Sequence, residues 1–237
     1  MNLIWPMNAG NIDTVFFYKR WLLCCLLCFI ASCKTNTLSY NKLILTAQDS
    51  ITAKTIIQRA FIQINALEKT IQSGDLITRT GNDFTSESLR QLNQHDKTYS
   101  HCGIASIEND SVFIYHALGG EFNPDQKIRR DAFNLFCEPY SNRGIGLFRF
   151  QLPAAAITKV MAAVKQNYLA EIMFDMKFDL QTDDRMYCAE FIYKCFLSGT
   201  KNNLLFNISH LKNFAYIGVD DLFMNAACKE LKRIIYK

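Results

Sequence analysis

Hydrophobic and polar positions follow two different periods along this chain, and the switches between them mark its elements. Over residues 49–72, Ile56, Ala60, Ile64, Leu67 and Ile71 recur at helical spacing, and Ser73-Gly74-Asp75 ends the helix. Leu76-Ile77-Thr78-Arg79 begins a strand. Residues 81–97 are polar and read as a loop with one helical turn around Glu87 to Gln91. Strands over 102–107 and 112–117 follow, joined by the tight-turn sequence Glu108-Asn109-Asp110. After a loop from Gly119-Gly120 to Asp125, a short strand is expected over 128–133 and a further one over 144–150. Residues 153–170 read as a helix with Pro153 near its first turn. The aromatic-rich segment 174–180 leads to a helix over 185–198, capped by Asp184 and closed by Gly199. Residues 222–236 read as a last helix. Repeats and low-complexity tracts are absent, so residues 49–237 are expected to form one α+β domain. Its strands cluster in the middle and its helices flank them.

The N-terminal part follows another pattern. Lys19-Arg20 precede the apolar stretch 21–31, which is shorter than the roughly 20 residues a spanning helix needs and fits the core of a secretory signal. Ile30-Ala31-Ser32-Cys33 resembles the lipobox of bacterial lipoproteins. That resemblance implies a signal peptide over 1–32, lipidation of Cys33 and a tether over 33–48. The protein is then expected in the bacterial cell envelope, lipid-anchored, on the periplasmic side or in the outer membrane. An ordinary signal or an uncleaved anchor is the alternative.

Composition narrows the class. Of 237 residues, 49% are hydrophobic and 20% charged, which are globular values rather than disordered ones. The net charge of +4 comes without a dense Lys/Arg tract, so nothing points to nucleic acid. The basic end, 229–237, reads as a solvated helix terminus. Beyond residue 33 the cysteines are Cys102, Cys137, Cys188, Cys195 and Cys228, with no CxxC spacing, so no zinc site is expected, nor any other metal or cofactor. Cys188 and Cys195, seven apart on one helix, are separated by about 10.5 Å, too far to bridge.

Two segments carry candidate chemistry: Ser100-His101-Cys102-Gly103-Ile104 and Tyr187-Cys188-Ala189-Glu190-Phe191-Ile192-Tyr193. A thiol and an imidazole are the minimum parts of a cysteine hydrolase. Cys188 begins the apolar stripe Cys188, Phe191, Ile192, Cys195 in the first turn of its helix, where the dipole favours thiolate. Cys195, two turns deeper, reads as core. Taken singly, Cys188 is equally a small buried hydrophobe and His101 a satisfied structural histidine.

Together with Gly74-Asp75-Leu76-Ile77 and the order of the three segments, this pattern resembles the circularly permuted branch of the NlpC/P60 superfamily. It is most similar to the permuted papain-like amidases of the YiiX/YaeF (YebB-like) type. Their motifs read approximately GD followed by two hydrophobic residues, then SHVGI, then YCSEL. Phe174-Asp175, Phe178-Asp179 and Gly218-Val219-Asp220-Asp221-Leu222 fit the family's flanks. The resemblance implies a permuted papain-like fold, with a central antiparallel sheet or barrel flanked by helices. Its histidine precedes its cysteine, the reverse of the papain order. It also implies Cys188 as nucleophile and His101 as general base. By position His116 is the third, orienting residue. An acid is expected there in the YiiX branch, and a histidine is closer to lecithin retinol acyltransferase-like relatives. Cys102 stands where valine is usual and should face away from His101 into the core; Ala189 replaces the usual serine. The Cys188 N–H and a second donor, for which Tyr187 is the candidate, would form the oxyanion hole. Asp75 and Glu190 are motif residues without a derived role, apart from capping by Glu190. His95 and His210 read as surface. The implied activity is cleavage of an amide or ester through an acyl-enzyme, on an envelope peptide or a lipid-like acyl substrate. A catalytically silent binding lipoprotein and a thiol acyltransferase are the alternatives.

Overall fold

The structure, a computed structural model, describes residues 47–236, and these lie within one compact unit, Thr46–Lys237. The expected signal peptide, the lipidation site Cys33 and most of the tether lie outside the described residues. In chain order the elements are α1 (Ala47–Glu68), β1 (Leu76–Gly81), α2 (Phe84–Leu89) continued by a 3-10 turn (Arg90–Leu92), β2 (His101–Glu108), β3 (Ser111–His116), β4 (Arg129–Ala132), α3 (Phe133–Phe136) and β5 (Asn142–Phe150). There follow α4 (Ala154–Leu169), α5 (Cys188–Thr200), β6 (Ser209–Leu211), β7 (Phe214–Tyr216), α6 (Val219–Phe223) and β8 (Cys228–Ile235).

The strands β4-β3-β2-β1-β5-β8 form one antiparallel sheet in that order, and β6-β7 a separate ribbon. The β2–β3 hairpin closes on Asn109 and Asp110, both with positive φ (49° and 61°), the conformation of a two-residue turn whose twist matches its strands. Alternation along the strands sorts the apolar residues onto two faces. Ile77, Ala105, Ile114 and Leu147 pack against Ala60, Ile64 and Leu67 of α1 and against Phe133 and Phe136. Leu76, Ile104, Tyr115 and Phe148 pack against Val160 and Val164 of α4 and Phe191, Ile192 and Phe196 of α5. The α+β class with flanking helices is thus as read from the pattern, and the antiparallel sheet is as the family resemblance implies.

Three local expectations change. Residues 222–236 are not a helix: α6 stops at Phe223, and β8 pairs with β5 from Gly144↔Ile235 to Phe150↔Cys228. Leu231, Ile234 and Ile235 mimic helical spacing, but β5 has a free edge whose backbone groups need partners, and that demand overrides the pattern. The basic residues of this segment therefore line a sheet edge, where Lys and Arg discourage pairing with another chain. Next, α5 begins at Cys188 with Tyr187 as N-cap, not at 185 with Asp184. Finally, Gly199 does not close α5, whose C-cap is Lys201 in the left-handed region. A Cβ on Gly199 would sit 2.5 Å from the Val160 nitrogen, so this glycine lets α4 and α5 pack closely.

Asp75 now has a role. Its buried carboxylate takes two hydrogen bonds from Arg149, Nε at 2.7 Å and Nη2 at 2.6 Å, and one from the Gln72 N–H at 2.8 Å. Arg149 also donates to the Thr70 carbonyl at 2.9 Å. This clamp ties the end of α1 to β1 and β5. Replacing Arg149 with alanine strands a buried carboxylate and should cost about 3 kcal/mol. At roughly 2–4 °C per kcal/mol for a domain of this size, Arg149→Ala is expected to melt about 6–12 °C lower, measured by thermal unfolding followed by circular dichroism.

Candidate active site

Period-two alternation sends His101 and Cys102 to opposite faces of β2. His101 stands on the α1 face, its ring centroid 5.7 Å from that of Phe136. The register Ile104↔Tyr115 carries on to set Gly103 opposite His116. A Cβ at Gly103 would lie 3.0 Å from the His116 Cβ and 2.4 Å from Ile114 Cγ2. Glycine here leaves His116 room to lean toward the start of β2. His101 Nε2 and His116 Nδ1 are 2.9 Å apart. On its far side, His116 Nε2 lies 3.0 Å from Asp131 Oδ2 on β4, and Arg129 Nη2 meets the same oxygen at 2.7 Å.

These bonds assign the protons. The Asp131 carboxylate only accepts, so His116 carries its proton on Nε2 and offers Nδ1 as an acceptor. His101 must then donate from Nε2, which leaves its Nδ1 as the proton-accepting nitrogen. Burial dominates the titration of both rings. It pushes His101 well below the ordinary histidine range, with Arg79, His116 and Arg129 adding in the same direction. Burial lowers His116 to about 4, against the opposing pull of Asp131. Burial would raise Asp131, but hydrogen bonds from His116 and Arg129 outweigh it and hold the carboxyl at about 2. At neutral pH the chain is a carboxylate followed by two neutral imidazoles.

Cys188 is the first residue of α5. It is 9% exposed and shares the wall of one cavity of about 50 Å³ with Ser100, His101 and Tyr187. Leu92, Leu118, Phe174, Phe178, Ile217 and Val219 supply the apolar walls. The space holds a few waters or one short acyl group, well below the 300 Å³ or so of a typical ligand pocket. A larger groove of about 890 Å³, lined by Gln166, Asn167, Lys194 and Lys201 among others, includes neither His101 nor Cys188. The Cys188 thiol is shifted below its ordinary value. The Cys102 thiol, which hydrogen-bonds its sulfur, is the largest cause, opposed by burial and helped by the N–H groups of Cys102, Ala189 and Cys188 itself. Burial raises Cys137, Cys195 and Cys228.

The rest of the motif supports the start of α5. Glu190 accepts the Tyr187 N–H at 3.1 Å and faces Lys194 Nζ at 2.9 Å. Burial nonetheless raises Glu190 to about 7, outweighing Lys194. The Tyr187 hydroxyl oxygen accepts the Ile217 N–H at 2.7 Å, and its ring lies against Phe178 with centroids 4.7 Å apart. Asp175 orders the segment before α5 by accepting the N–H groups of Lys177 and Asp179 at 2.7 and 2.6 Å.

The structure thus brings His101 and His116 into contact and puts Cys188 and Tyr187 on the same cavity as His101. His95 and His210 are exposed. Cys102 is fully buried as expected, and the core cluster it enters also contains Cys188. Asp131 was invisible to spacing arguments, because the irregular connection 117–128 separates β3 from β4. The one available signal was Arg129-Arg130-Asp131, two cations followed by a carboxylate on a short strand.

Among the described residues, no group of three or more His, Cys, Asp or Glu is arranged to hold a metal ion. A search of curated protein sequences finds no match. Among solved structures the chain is similar to the crystal structure of metalloprotein YiiX from Escherichia coli O157:H7. The TM-score is 0.57 at 17% identity, covering 69% of this chain and 98% of that one, a likeness of fold. A sequence model described as permuted papain-like amidase enzyme, YaeF/YiiX, C92 family, matches residues 70–216. That stretch holds His101, His116, Asp131 and Cys188, and the chain belongs to this family of permuted papain-like amidases.

Proposed function

We propose that the protein is a cysteine hydrolase that cleaves an amide or ester through a Cys188 thioester. The observation that carries this reading is the shared cavity of Cys188 and His101, with His101 held from behind by His116 and Asp131. Cys188 Sγ attacks the substrate carbonyl and its proton passes to His101 Nδ1. The Cys188 N–H, at the start of α5, faces the developing oxyanion, and the Tyr187 hydroxyl is the second donor. His101 then protonates the departing amine or alcohol, and water attacking the thioester reverses the sequence. Asp131 holds His116 in the Nε2–H tautomer, and His116 holds His101 with Nδ1 bare. Neutral rings suit this work, since a protonated His101 could not take the thiol proton.

The narrow apolar cavity favours a short or slender acyl group, with the remainder of the substrate lying across the opening. Peptidoglycan stem peptides and lipid-like acyl groups both fit an enzyme tethered in the cell envelope through Cys33. No helix among the described residues is long and apolar enough to cross a membrane. Under this reading Cys33→Ala moves the protein from the membrane fraction to the soluble fraction of the producing cells. Retention in the membrane fraction would instead favour an uncleaved anchor.

Iodoacetamide labelling with peptide mapping at neutral pH should find Cys188 the fastest cysteine of the described fold. Hydrolysis of p-nitrophenyl acetate should be lost in Cys188→Ala and reduced by about 10²–10⁴-fold in His101→Ala. Equal labelling of Cys188 and Cys195, or full turnover without His101, overturns the reading and favours a silent binding protein on the same fold.

Asp131→Asn keeps the size of the side chain but allows it to donate to His116, which favours the wrong tautomer. Turnover of the same ester should fall by about tenfold or more, with KM little changed, and Asp131→Glu should restore part of it. An unchanged pH–rate profile in Asp131→Asn would remove Asp131 from the relay.

A further inference from the structure

Cys102 is the nucleophilic group that the proposed mechanism leaves unused. It is the second residue of β2, fully buried, on the face opposite His101. The helix packed on that face is α5, and the residue at its near end is Cys188. Both residues belong to that one buried cluster between β2 and α5, and each thiol shifts the other's titration, Cys102 favouring the thiolate of Cys188. The other buried cysteines lack this arrangement. Cys137 lies in the cluster on the other side of the sheet, and Cys195 is two turns further along α5 beside Asn167 Nδ2 at 3.4 Å. All five cysteines of the described residues are free thiols. Cys188 alone combines a partner thiol with a place on the cavity wall that a molecule as small as hydrogen peroxide can reach.

We propose that Cys102 is a resolving cysteine, and that hydroperoxide converts the Cys102–Cys188 pair into a reversible disulfide. The Cys188 thiolate attacks one peroxide oxygen and breaks the O–O bond. Cys188 becomes a sulfenic acid and the second oxygen leaves as water. The Cys102 sulfur then attacks the Cys188 sulfur; the S–O bond breaks, and the hydroxyl leaves with the Cys102 proton as a second water. Two thiols and one peroxide give one disulfide and two waters. The disulfide occupies the nucleophile but stops its climb to sulfinic and sulfonic acid, which thiols do not reverse. A reductant returns both thiols. This inference concerns the pair of sulfurs and stands whether or not Cys188 turns over an acyl substrate.

The test uses the full chain, reduced and then exposed to a small excess of hydrogen peroxide, with tryptic mapping under non-reducing conditions. The expected product links the Cys102 peptide to the Cys188 peptide. Iodoacetamide labelling of Cys188 drops by about tenfold or more and recovers on adding dithiothreitol. In Cys102→Ala the same treatment should drive Cys188 to sulfinic and sulfonic forms that dithiothreitol does not restore. In Cys188→Ser, Cys102 should remain a thiol, since burial holds its proton. Direct over-oxidation of Cys188 in the unaltered protein, with Cys102 still a thiol, overturns the proposal. If the linkage forms and p-nitrophenyl acetate is untouched by the reduced protein, the hydrolase reading fails and the disulfide stands. If the ester is cleaved but no linkage appears, the reverse holds.

Discussion

The site depends on the antiparallel pairing of β2 with β3, because that pairing decides what each side of β2 faces. One register places His116 opposite Gly103 and within reach of His101. The same alternation places Cys102 on the other face, against the start of α5. A slip of one residue would exchange the faces and separate both pairs at once. The sheet therefore supplies the scaffold and, in the same step, assigns one side of β2 to proton handling and the other to sulfur.

Electrostatics follow from that geometry. Two imidazoles are buried beside Arg79 and Arg129, and an isolated cation there would be costly. They stay neutral, and one carboxylate, itself satisfied by Arg129, orients both through a line of hydrogen bonds. The thiol is treated differently. Its negative form is favoured by a neighbouring S–H and by backbone N–H groups at a helix start, not by an imidazolium. A His–Cys pair of this kind rests as separate neutral and anionic tendencies, each set by its own side of the sheet.

Much of this was legible in the amino-acid pattern, for physical reasons that differ by element. The α1 stripe, the β2–β3 hairpin and α4 announce themselves because burial of one face imposes a period. His101, His116 and Cys188 are singled out by the resemblance of their segments to the family's motifs, and each sits in or beside a regular element. Asp131 is not, since twelve irregular residues between β3 and β4 erase any spacing rule. The end of the chain failed for another reason: Leu231, Ile234 and Ile235 satisfy helical and strand readings alike, and the choice belongs to β5, more than seventy residues away. Alternation along β2 is enough to turn Cys102 away from His101 into the core, but it says nothing of which residues share that core, Cys188 among them.

Gly103 has a consequence for how this fold varies by descent. Its missing side chain is the space that His116 Cβ and the Ile114 methyl occupy. Any larger residue at 103 must be accompanied by a retreat at 114 or 116, and a retreat at 116 breaks the line from Asp131 to His101. Positions 103, 114 and 116 are thus sterically coupled in one direction: bulk added at 103 must be offset at 114 or 116, whereas glycine at 103 leaves position 116 free to carry a histidine or an acid.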